Sequence, residues 1–252
     1  MKIKPSIIVS VLASLSLMCS CADAPSAPTL TERREDEVIL GRTEDMGDEY
    51  IEGFLFFGES TTYHLKSRGI LPGGKNTEQV LHDESGTAIL NDLTSTMTVI
   101  NPKNHEKMPF GEAVETIRPK YMLLTFGLNG AVGKIKLGEE YYKSCYRKLI
   151  VAIRASSPDT KIILGSCYPV ASNMDTTAYS VTQKELNEYI RTINGWTVSL
   201  AAEEGLRYLN VNEVLTDGEG DLRLEYQCGD GHHLTREAYV VILEYIRTHG
   251  YK

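Results

Sequence analysis

The sequence predicts an α/β fold in which a parallel sheet lies between two layers of helices, a three-layer α/β/α sandwich. Short apolar runs that end at turn residues are typical of buried strands. Most of these runs are followed by a polar or glycine-containing loop and then by a helical pattern, and strands that alternate with helices pair in parallel through right-handed crossovers. Residues 49–252 span about 200 positions, a length typical of one domain with a substantial core.

The strands and helices follow one another along this region. The predicted strands are four apolar runs at residues 54–57, 121–126, 161–166 and 207–211. The predicted helices cover the segment from about residue 61, then residues 139–156, 181–204 and 235–248. Tyr142, Tyr146 and Ile153 recur at helical spacing in the second of these, and Gly205 is a suitable C-terminal glycine for the third.

Residues 73–109 break this alternation. They are rich in Thr, Val, Ile and Leu around residues 79–81, 87–90 and 96–100. Such composition favours strands, so a small β insertion is predicted here.

The N-terminus predicts an export signal. Lys2 and Lys4 form a positive start, and a short apolar stretch at 7–18 precedes Cys19 and Cys21. About a dozen apolar residues are too few for a membrane-spanning helix, which needs about 20. Residues 1–21 are therefore interpreted as a signal peptide.

The end of this segment resembles the lipobox of bacterial lipoproteins, which implies lipidation at Cys21, with Cys19 as the rival position. A lipid anchor on the outer face of the cell membrane would follow. The alternative is an ordinary secretory signal that is cut within residues 22–28. Residues 22–48, rich in Ala, Pro, Thr and Glu without an apolar period, are interpreted as a linker.

Charge and cysteine content exclude several classes of function. Residues 22–252 keep 24 of the 26 basic residues and all 34 acidic ones, a formal charge of −10. An acidic chain is a poor partner for nucleic acid. Cys145, Cys167 and Cys228 remain, an odd number without C-x-x-C spacing, which argues against a disulfide framework or a zinc site. Cys145 and Cys167 are expected to be buried thiols.

Ser60 is a candidate nucleophile. It comes two residues after Gly58, where the first strand turns into a helix, so its hydroxyl is expected at the carboxyl edge of the sheet among free backbone N–H groups. A serine in this position could equally be a helix N-cap. Asn129 follows the strand at 121–126 in the same way, and it is either a turn residue or an amide donor to the same site.

A third block lies near the C-terminus. Asp230 precedes His233 by three residues, so its carboxylate can accept the Nδ1 proton and leave Nε2 free to take a proton from a serine. His232 is the rival base, and His233 is favoured because the loop wraps Asp230 toward the third residue on. A hydrogen bond between Ser60 and His233, roughly 2.6 to 3.2 Å long, is therefore expected.

These blocks together resemble the SGNH hydrolases, the GDSL-type esterase and lipase superfamily, as a secreted or lipid-anchored bacterial member. The match runs in order through residues 58–60, 127–129 and 230–234. The resemblance implies a flavodoxin-like sheet and a triad of Ser60, His233 and Asp230. It also implies an oxyanion hole formed by the Ser60 N–H, the Asn129 side chain and a second-block glycine, for which Gly86 is the candidate.

Glu59 stands where this superfamily usually has Asp. That residue is not the proton acceptor in the superfamily, so the exchange implies altered support of the loop rather than lost activity.

The leading hypothesis is an esterase that needs no metal or cofactor: Ser60 attacks an acyl carbon, His233 acts as base and then acid, and water releases the acyl-enzyme. Export and the resemblance suggest O-acetyl groups on carbohydrate as substrates. Acyl transfer to a sugar hydroxyl would use the same residues. The alternative from another class is a noncatalytic surface lipoprotein that binds a glycan or a protein.

Overall fold

The apolar runs form a parallel sheet in the computed structural model, which describes residues 37–252. Its strands, with those of a separate hairpin, are β1 (Phe54–Gly58), β2 (Val80–Leu81), β3 (Thr98–Ile100), β4 (Lys107–Pro109), β5 (Tyr121–Thr125), β6 (Lys161–Gly165) and β7 (Arg207–Leu209). Five of them pair in parallel in the order β2-β1-β5-β6-β7. This is the flavodoxin-like order of doubly wound folds, which confirms the predicted fold class.

Helices cover both faces of the sheet. They are α1 (Asp48–Glu52), α2 (Ser60–Ser67), α3 (Phe110–Ile117), α4 (Ala131–Leu137), α5 (Glu139–Ser156), α6 (Gln183–Glu204), α7 (Asn212–Leu215) and α8 (Arg236–Arg247). Side chains of β1 alternate between the faces: Leu55 and Phe57 pack with α3 to α6, while Phe54 and Phe56 pack with α1, α2, α7 and α8. Two cores on either side of one sheet make the three layers.

The insertion is smaller than predicted. Residues 80–81 join the main sheet as its edge strand, with Phe56 opposite Val80. β3 and β4 form an antiparallel hairpin, with Val99 opposite Met108. Residues 87–90 form no strand, although Ala88 and Leu90 are buried and alternate with more exposed neighbours. The alternation there reflects an extended segment that packs on the core without a neighbouring strand to pair with.

The linker predicted to reach residue 48 ends earlier. Val38 and Leu40 are 7% and 6% exposed, and the Leu40 N–H donates to the Tyr208 carbonyl at 2.8 Å. Farther on, the Thr43 N–H donates to the Thr248 carbonyl at 2.6 Å. Residues 38–48 therefore belong to the domain, and their apolar alternation is too short to have indicated this.

The predicted signal peptide, with Cys19 and Cys21, and the first part of the linker lie outside the described residues. Within residues 37–252, no helix combines the length and the apolar character needed to cross a membrane.

Candidate active site

The three predicted blocks meet at the carboxyl edge of the sheet. β2 lies on one side of β1 and β5 on the other, so the chain reverses its direction across the sheet between β1 and β5. In doubly wound sheets this switch point is where the ends of neighbouring strands leave a crevice for ligands. Ser60 follows β1 and Asn129 follows β5, which places both residues at the crevice.

Ser60 is the first residue of α2. β1 ends two residues earlier at Gly58, a position that requires glycine. A Cβ on Gly58 would lie 2.3 Å from the Thr125 carbonyl oxygen, so any other residue would push β1 away from the end of β5. The N–H groups of Thr62 and Tyr63 donate to the Glu59 carbonyl. The Ser60 N–H, at the helix start, has no acceptor among the described residues and is free to bind a ligand oxygen.

A chain of hydrogen bonds connects Ser60 with His233 and Asp230. The Ser60 Oγ lies 3.0 Å from His233 Nε2, within the expected range. On the other side of the ring, His233 Nδ1 lies 2.7 Å from Asp230 Oδ2. The rival His232 ring instead places its Nδ1 3.3 Å from the Asp230 carbonyl oxygen.

Backbone donors keep Asp230 ionised. Burial alone would raise the pKa of this carboxyl, but the His233 N–H and ring and the His232 N–H together hold the pKa well below its usual range. The two backbone bonds reach Asp230 Oδ1 at 2.9 Å from His233 and 3.1 Å from His232. A carboxylate fixed in this way favours a proton on His233 Nδ1 and a lone pair on Nε2.

The loop that carries Asp230 and His233, called the dyad loop below, is shaped by contacts with Gln227 and Met174. Gln227 Oε1 accepts the N–H groups of Gly229 at 2.5 Å and Gly231 at 3.0 Å. Gly231 has a φ of 83°, and a Cβ there would lie 2.6 Å from the Met174 Cα. Gly231 is thus required both for its backbone conformation and for its close contact with residue 174.

Glu59 joins the loops that follow β1 and β5. Its side chain is 5% exposed, and its Oε1 accepts the N–H groups of Gly127 at 2.9 Å and Asn129 at 3.1 Å. Burial raises the pKa of the Glu59 carboxyl, while the nearby Lys134 ammonium and these N–H donors act in the opposite direction. Lys134, itself 4% exposed, donates to the Asn129 carbonyl. The carboxylate is therefore used for structure, away from the hydroxyl of Ser60.

Asn129 has an amide hydrogen available for the site. Its Nδ2 donates one hydrogen to Thr87 Oγ1 at 3.0 Å, and an amide nitrogen carries two.

Gly86, next to Thr87, packs against the Tyr63 ring of α2, and its φ of 72° favours glycine. Its N–H donates to the Asp83 carbonyl at 3.2 Å, so this predicted oxyanion donor also bonds within its own turn.

Two residues outside the predicted motifs, His64 of α2 and Arg68 at its C-cap, contact the loop that carries Asp230 and His233. The His64 and His233 rings lie 4.7 Å apart, and burial, with smaller contributions from Arg68 and His233, lowers the pKa of His64 to about 4. Arg68 donates to the Leu234 carbonyl and, at 2.8 Å, to Cys228 Sγ. Their spacing of four residues from Ser60 and from each other puts them on the same side of α2, the signal that could have identified them.

A narrow pocket opens beside Ser60. It is lined by Glu59, Ser60, Thr61, Thr125, Phe126, Leu128, Cys167, Tyr168 and His232. Its volume is about 10 Å³, close to the minimum for a single water molecule.

Cys145 and Cys167 are both buried, as predicted. Trp196 packs against the hydrophobic core and not at the site.

Comparison with known proteins agrees with this geometry. The sequence pattern of the GDSL-like Lipase/Acylhydrolase family matches residues 56–241. No curated protein matches the chain. Solved structures do: one described as a lipolytic protein of the G-D-S-L family from Desulfitobacterium hafniense has a TM-score of 0.51 at 16% identity and covers 76% of this chain and 95% of its own. A GDSL-like lipase from Bacteroides thetaiotaomicron has a TM-score of 0.50 at 16% identity, with 84% and 91% covered.

At this identity, the solved structures show a shared fold, while the family pattern spans most of the domain and all three blocks. The chain therefore belongs to the GDSL-like lipase and acylhydrolase family and is a serine ester hydrolase.

Proposed function

We propose that this protein removes small acyl groups, above all O-acetyl groups, from carbohydrate esters, with Ser60 as nucleophile, His233 as base and Asp230 as its partner. The observation that carries the proposal is the continuous path from Asp230 through His233 to Ser60, with distances of 2.7 and 3.0 Å. These are the contacts that a nucleophile, a general base and an orienting carboxylate require.

The reaction has two steps. His233 Nε2 takes the Ser60 proton as Oγ bonds to the acyl carbon, and the resulting N–H then protonates the departing alcohol oxygen. In the second step, His233 takes a proton from water, the hydroxide oxygen bonds to the same carbon, and Ser60 leaves with that proton. Asp230 remains ionised throughout and stabilises the charged ring.

The negative charge on the acyl oxygen is held by the Ser60 N–H and by the second amide hydrogen of Asn129. Gly86 is proposed as a third donor, which would share its hydrogen with the Asp83 carbonyl. Fixed donors of this kind stabilise a tetrahedral intermediate by several kcal/mol, because they need no reorganisation during the reaction.

The pocket and its surroundings support the choice of substrate. The pocket beside Ser60, with a volume of about 10 Å³, is too narrow for a fatty acyl chain, which favours a short acyl group such as acetyl over a long one. The alcohol would leave near His233, where Asp230 and His232 are 44% and 24% exposed. An open, polar exit suits a hydrophilic alcohol such as a sugar better than a lipid.

Acetate release tests the proposal. The protein without residues 1–21 is incubated with 4-nitrophenyl acetate and with acetylated xylan, beside Ser60→Ala and the control Ser144→Ala, which removes a hydroxyl bonded within α5. We expect release by the parent and the control, and loss of release in Ser60→Ala. Equal release from all three proteins would refute the assignment of Ser60.

The same samples distinguish the proposed hydrolase from two alternatives, a noncatalytic binding protein and an acyltransferase. A noncatalytic binding protein would not react with a fluorophosphonate probe, whereas the proposed nucleophile is labelled in the parent and not in Ser60→Ala. With a xylo-oligosaccharide acceptor present, a hydrolase releases nitrophenol and acetate in equal amounts. An acyltransferase would release less acetate than nitrophenol.

We also propose that the enzyme is exported and anchored by a lipid on Cys21. The support is the positive start and short apolar stretch of residues 1–18, followed by a small residue before this cysteine. In a bacterial host fed a clickable fatty acid, Cys21→Ser should lose the label and leave the membrane fraction, while Cys19→Ser should keep both. The reverse pattern would assign the anchor to Cys19.

A further inference from the structure

Three side chains of one short loop place metal-binding atoms together. Asp230, His232 and His233 each offer one ligand atom, and these atoms lie within 4.8 Å of one another. All three are open to solvent, with side-chain exposures of 44%, 24% and 23%. An ion could therefore reach them without opening the fold.

The distances fit a small divalent ion. Metal–ligand bonds of about 2.0 to 2.1 Å at a tetrahedral angle separate two ligand atoms by about 3.3 Å. His233 Nδ1 lies 2.7 Å from Asp230 Oδ2 and His232 Nδ1 lies 3.5 Å from Asp230 Oδ1, and with one ligand atom from each residue all separations are within 4.8 Å, so small side-chain shifts would bring the three atoms to that spacing. His232 Nδ1 also lies 3.3 Å from the Asp230 carbonyl, a long contact that an ion would replace.

We propose that Asp230, His232 and His233 bind a divalent transition-metal ion of the zinc class, and that this ion switches the esterase off. Two imidazoles and one carboxylate suit Zn²⁺, Cu²⁺ or Ni²⁺, whereas Ca²⁺ and Mg²⁺ prefer oxygen ligands alone. Three ligands from the protein leave a further position for water, which is compatible with the exposed side of the loop.

The effect on activity follows from the tautomer of His233, and it rests on the proposed role of this residue as base. A metal ion bonds to a ring nitrogen through its lone pair. With the ion on Nδ1, the single ring proton of neutral imidazole moves to Nε2. The Nε2–H group then donates a hydrogen bond to Ser60 Oγ, and Nε2 can no longer accept the serine proton. Because the same ion removes Asp230 from the ring, both requirements for catalysis are lost together.

Binding is tested directly, without activity. Co²⁺ is titrated into the parent, His232→Ala and the control His105→Ala, an exposed histidine outside this loop, and the visible absorption of the bound ion is recorded. Loss of an outer contact to a ligand already costs about 10- to 100-fold in affinity, so loss of a ligand should raise the half-saturation concentration at least about tenfold. Equal titrations of His232→Ala and the parent would overturn the site.

Inhibition is measured as the ratio of 4-nitrophenyl acetate hydrolysis with and without Zn²⁺, within each variant. The parent and His105→Ala should lose activity at concentrations about tenfold or more below those needed for His232→Ala. Cys228→Ser should follow the parent; relief in this variant and not in His232→Ala would assign inhibition to the thiol and overturn the proposal. Binding that depends on His232 but leaves hydrolysis unchanged would overturn the switch.

The two proposals fail separately. Activity that survives in Ser60→Ala would refute the proposed function, and the Co²⁺ titration would still decide the metal site.

Discussion

Glu59 holds together the loops that carry Ser60 and Asn129, so its replacement is expected to cost both stability and activity. Its Oε1 accepts N–H groups from both Gly127 and Asn129, at 2.9 and 3.1 Å. Lys134 is almost fully buried nearby and is the main opposing charge at this carboxylate. Glu59→Ala removes the acceptor of two buried N–H groups and the countercharge of a buried ammonium in one step.

The size of the loss can be worked from these contacts. A hydrogen bond to a charged group contributes about 1.5 to 3 kcal/mol, so the two bonds account for about 3 to 6 kcal/mol. Within the described residues Glu59 and Lys134 interact through their charges rather than through a direct ion pair, so losing this interaction costs at most about 3 to 5 kcal/mol, the value for a broken buried pair, and it overlaps with the loss of the two bonds. We therefore expect Glu59→Ala to lower the free energy of unfolding by about 3 to 5 kcal/mol.

Glu59→Gln separates charge from geometry. Oε1 accepts both N–H groups, and the Asn129 N–H also reaches Oε2 at 3.2 Å, so a glutamine with its oxygen at the Oε1 position keeps one bond to each N–H and loses the contact at Oε2. Charge-assisted bonds are roughly twice as strong as neutral ones, so about half of the stabilisation, about 1.5 to 3 kcal/mol, should be lost. Activity should fall less than tenfold in this variant and about 10²-fold or more in Glu59→Ala, where Asn129 is no longer held.

The assays are urea unfolding followed by circular dichroism and kcat/KM for 4-nitrophenyl acetate, with the exposed Glu52→Ala as control. If Glu59→Ala does not fold, the Gln variant still gives both measurements. A Glu59→Ala protein within 1 kcal/mol of the parent, or Gln and Ala variants with the same stability, would refute the reasoning that these bonds hold the two loops.

The remaining predictions concern other parts of the site. Asn129→Ala should lower kcat by about 10²- to 10³-fold and, because the bond to Thr87 is lost, lower the melting temperature by only a few degrees, as measured by steady-state kinetics and calorimetry. The pKa of His64 is about 4 in the fold, against about 6.5 in the unfolded chain, so unfolding takes up a proton between these values and stability falls as pH drops from 6.5 to 4. Because His64 is only half-buried, solvent screening reduces the loss to about 1 to 2 kcal/mol, and urea unfolding at pH 7 and pH 4.5 should show it in the parent and not in His64→Gln. Gly231→Ala should cost a further 1 to 3 kcal/mol over Gly229→Ala, because both have positive φ but only the Cβ at Gly231 would overlap Met174; equal melting temperatures would contradict this.

The layered fold could be predicted because β1 and β5 are apolar along almost their whole length. All five residues of β1 and of β5 are buried, as expected for strands covered on both faces, and the sequence shows this as unbroken apolar runs. Residues 87–90 were predicted as a strand but have no partner strand, whereas residues 38–40, predicted as linker, pair with Tyr208 of β7. A strand forms only where the tertiary fold supplies a partner. The short helices α3 and α4, of 8 and 7 residues, gave too few turns for a periodic signal.

The site was predictable where its residues directly follow strands, and unpredictable where side chains meet across loops. Ser60 and His233 are 173 residues apart, yet both were placed at one edge of the sheet by their positions after β1 and before α8. Two features depend on how segments that are distant in sequence meet in the fold. They are the hydrogen bond from Asn129 to Thr87 and the burial of Lys134. No spacing in the sequence records that arrangement.

The site is thus assembled from two units that are held by different means. Glu59 fixes the nucleophile and its oxyanion donors to the sheet, whereas Gln227 and the left-handed Gly231 shape the loop that presents the dyad. Helix α2 connects them, since it begins with Ser60 and contacts the dyad loop one and two turns later through His64 and Arg68. Because the 3.0 Å contact between Ser60 and His233 depends on this helix, a substitution on its inner side can misalign the base without touching any group that reacts.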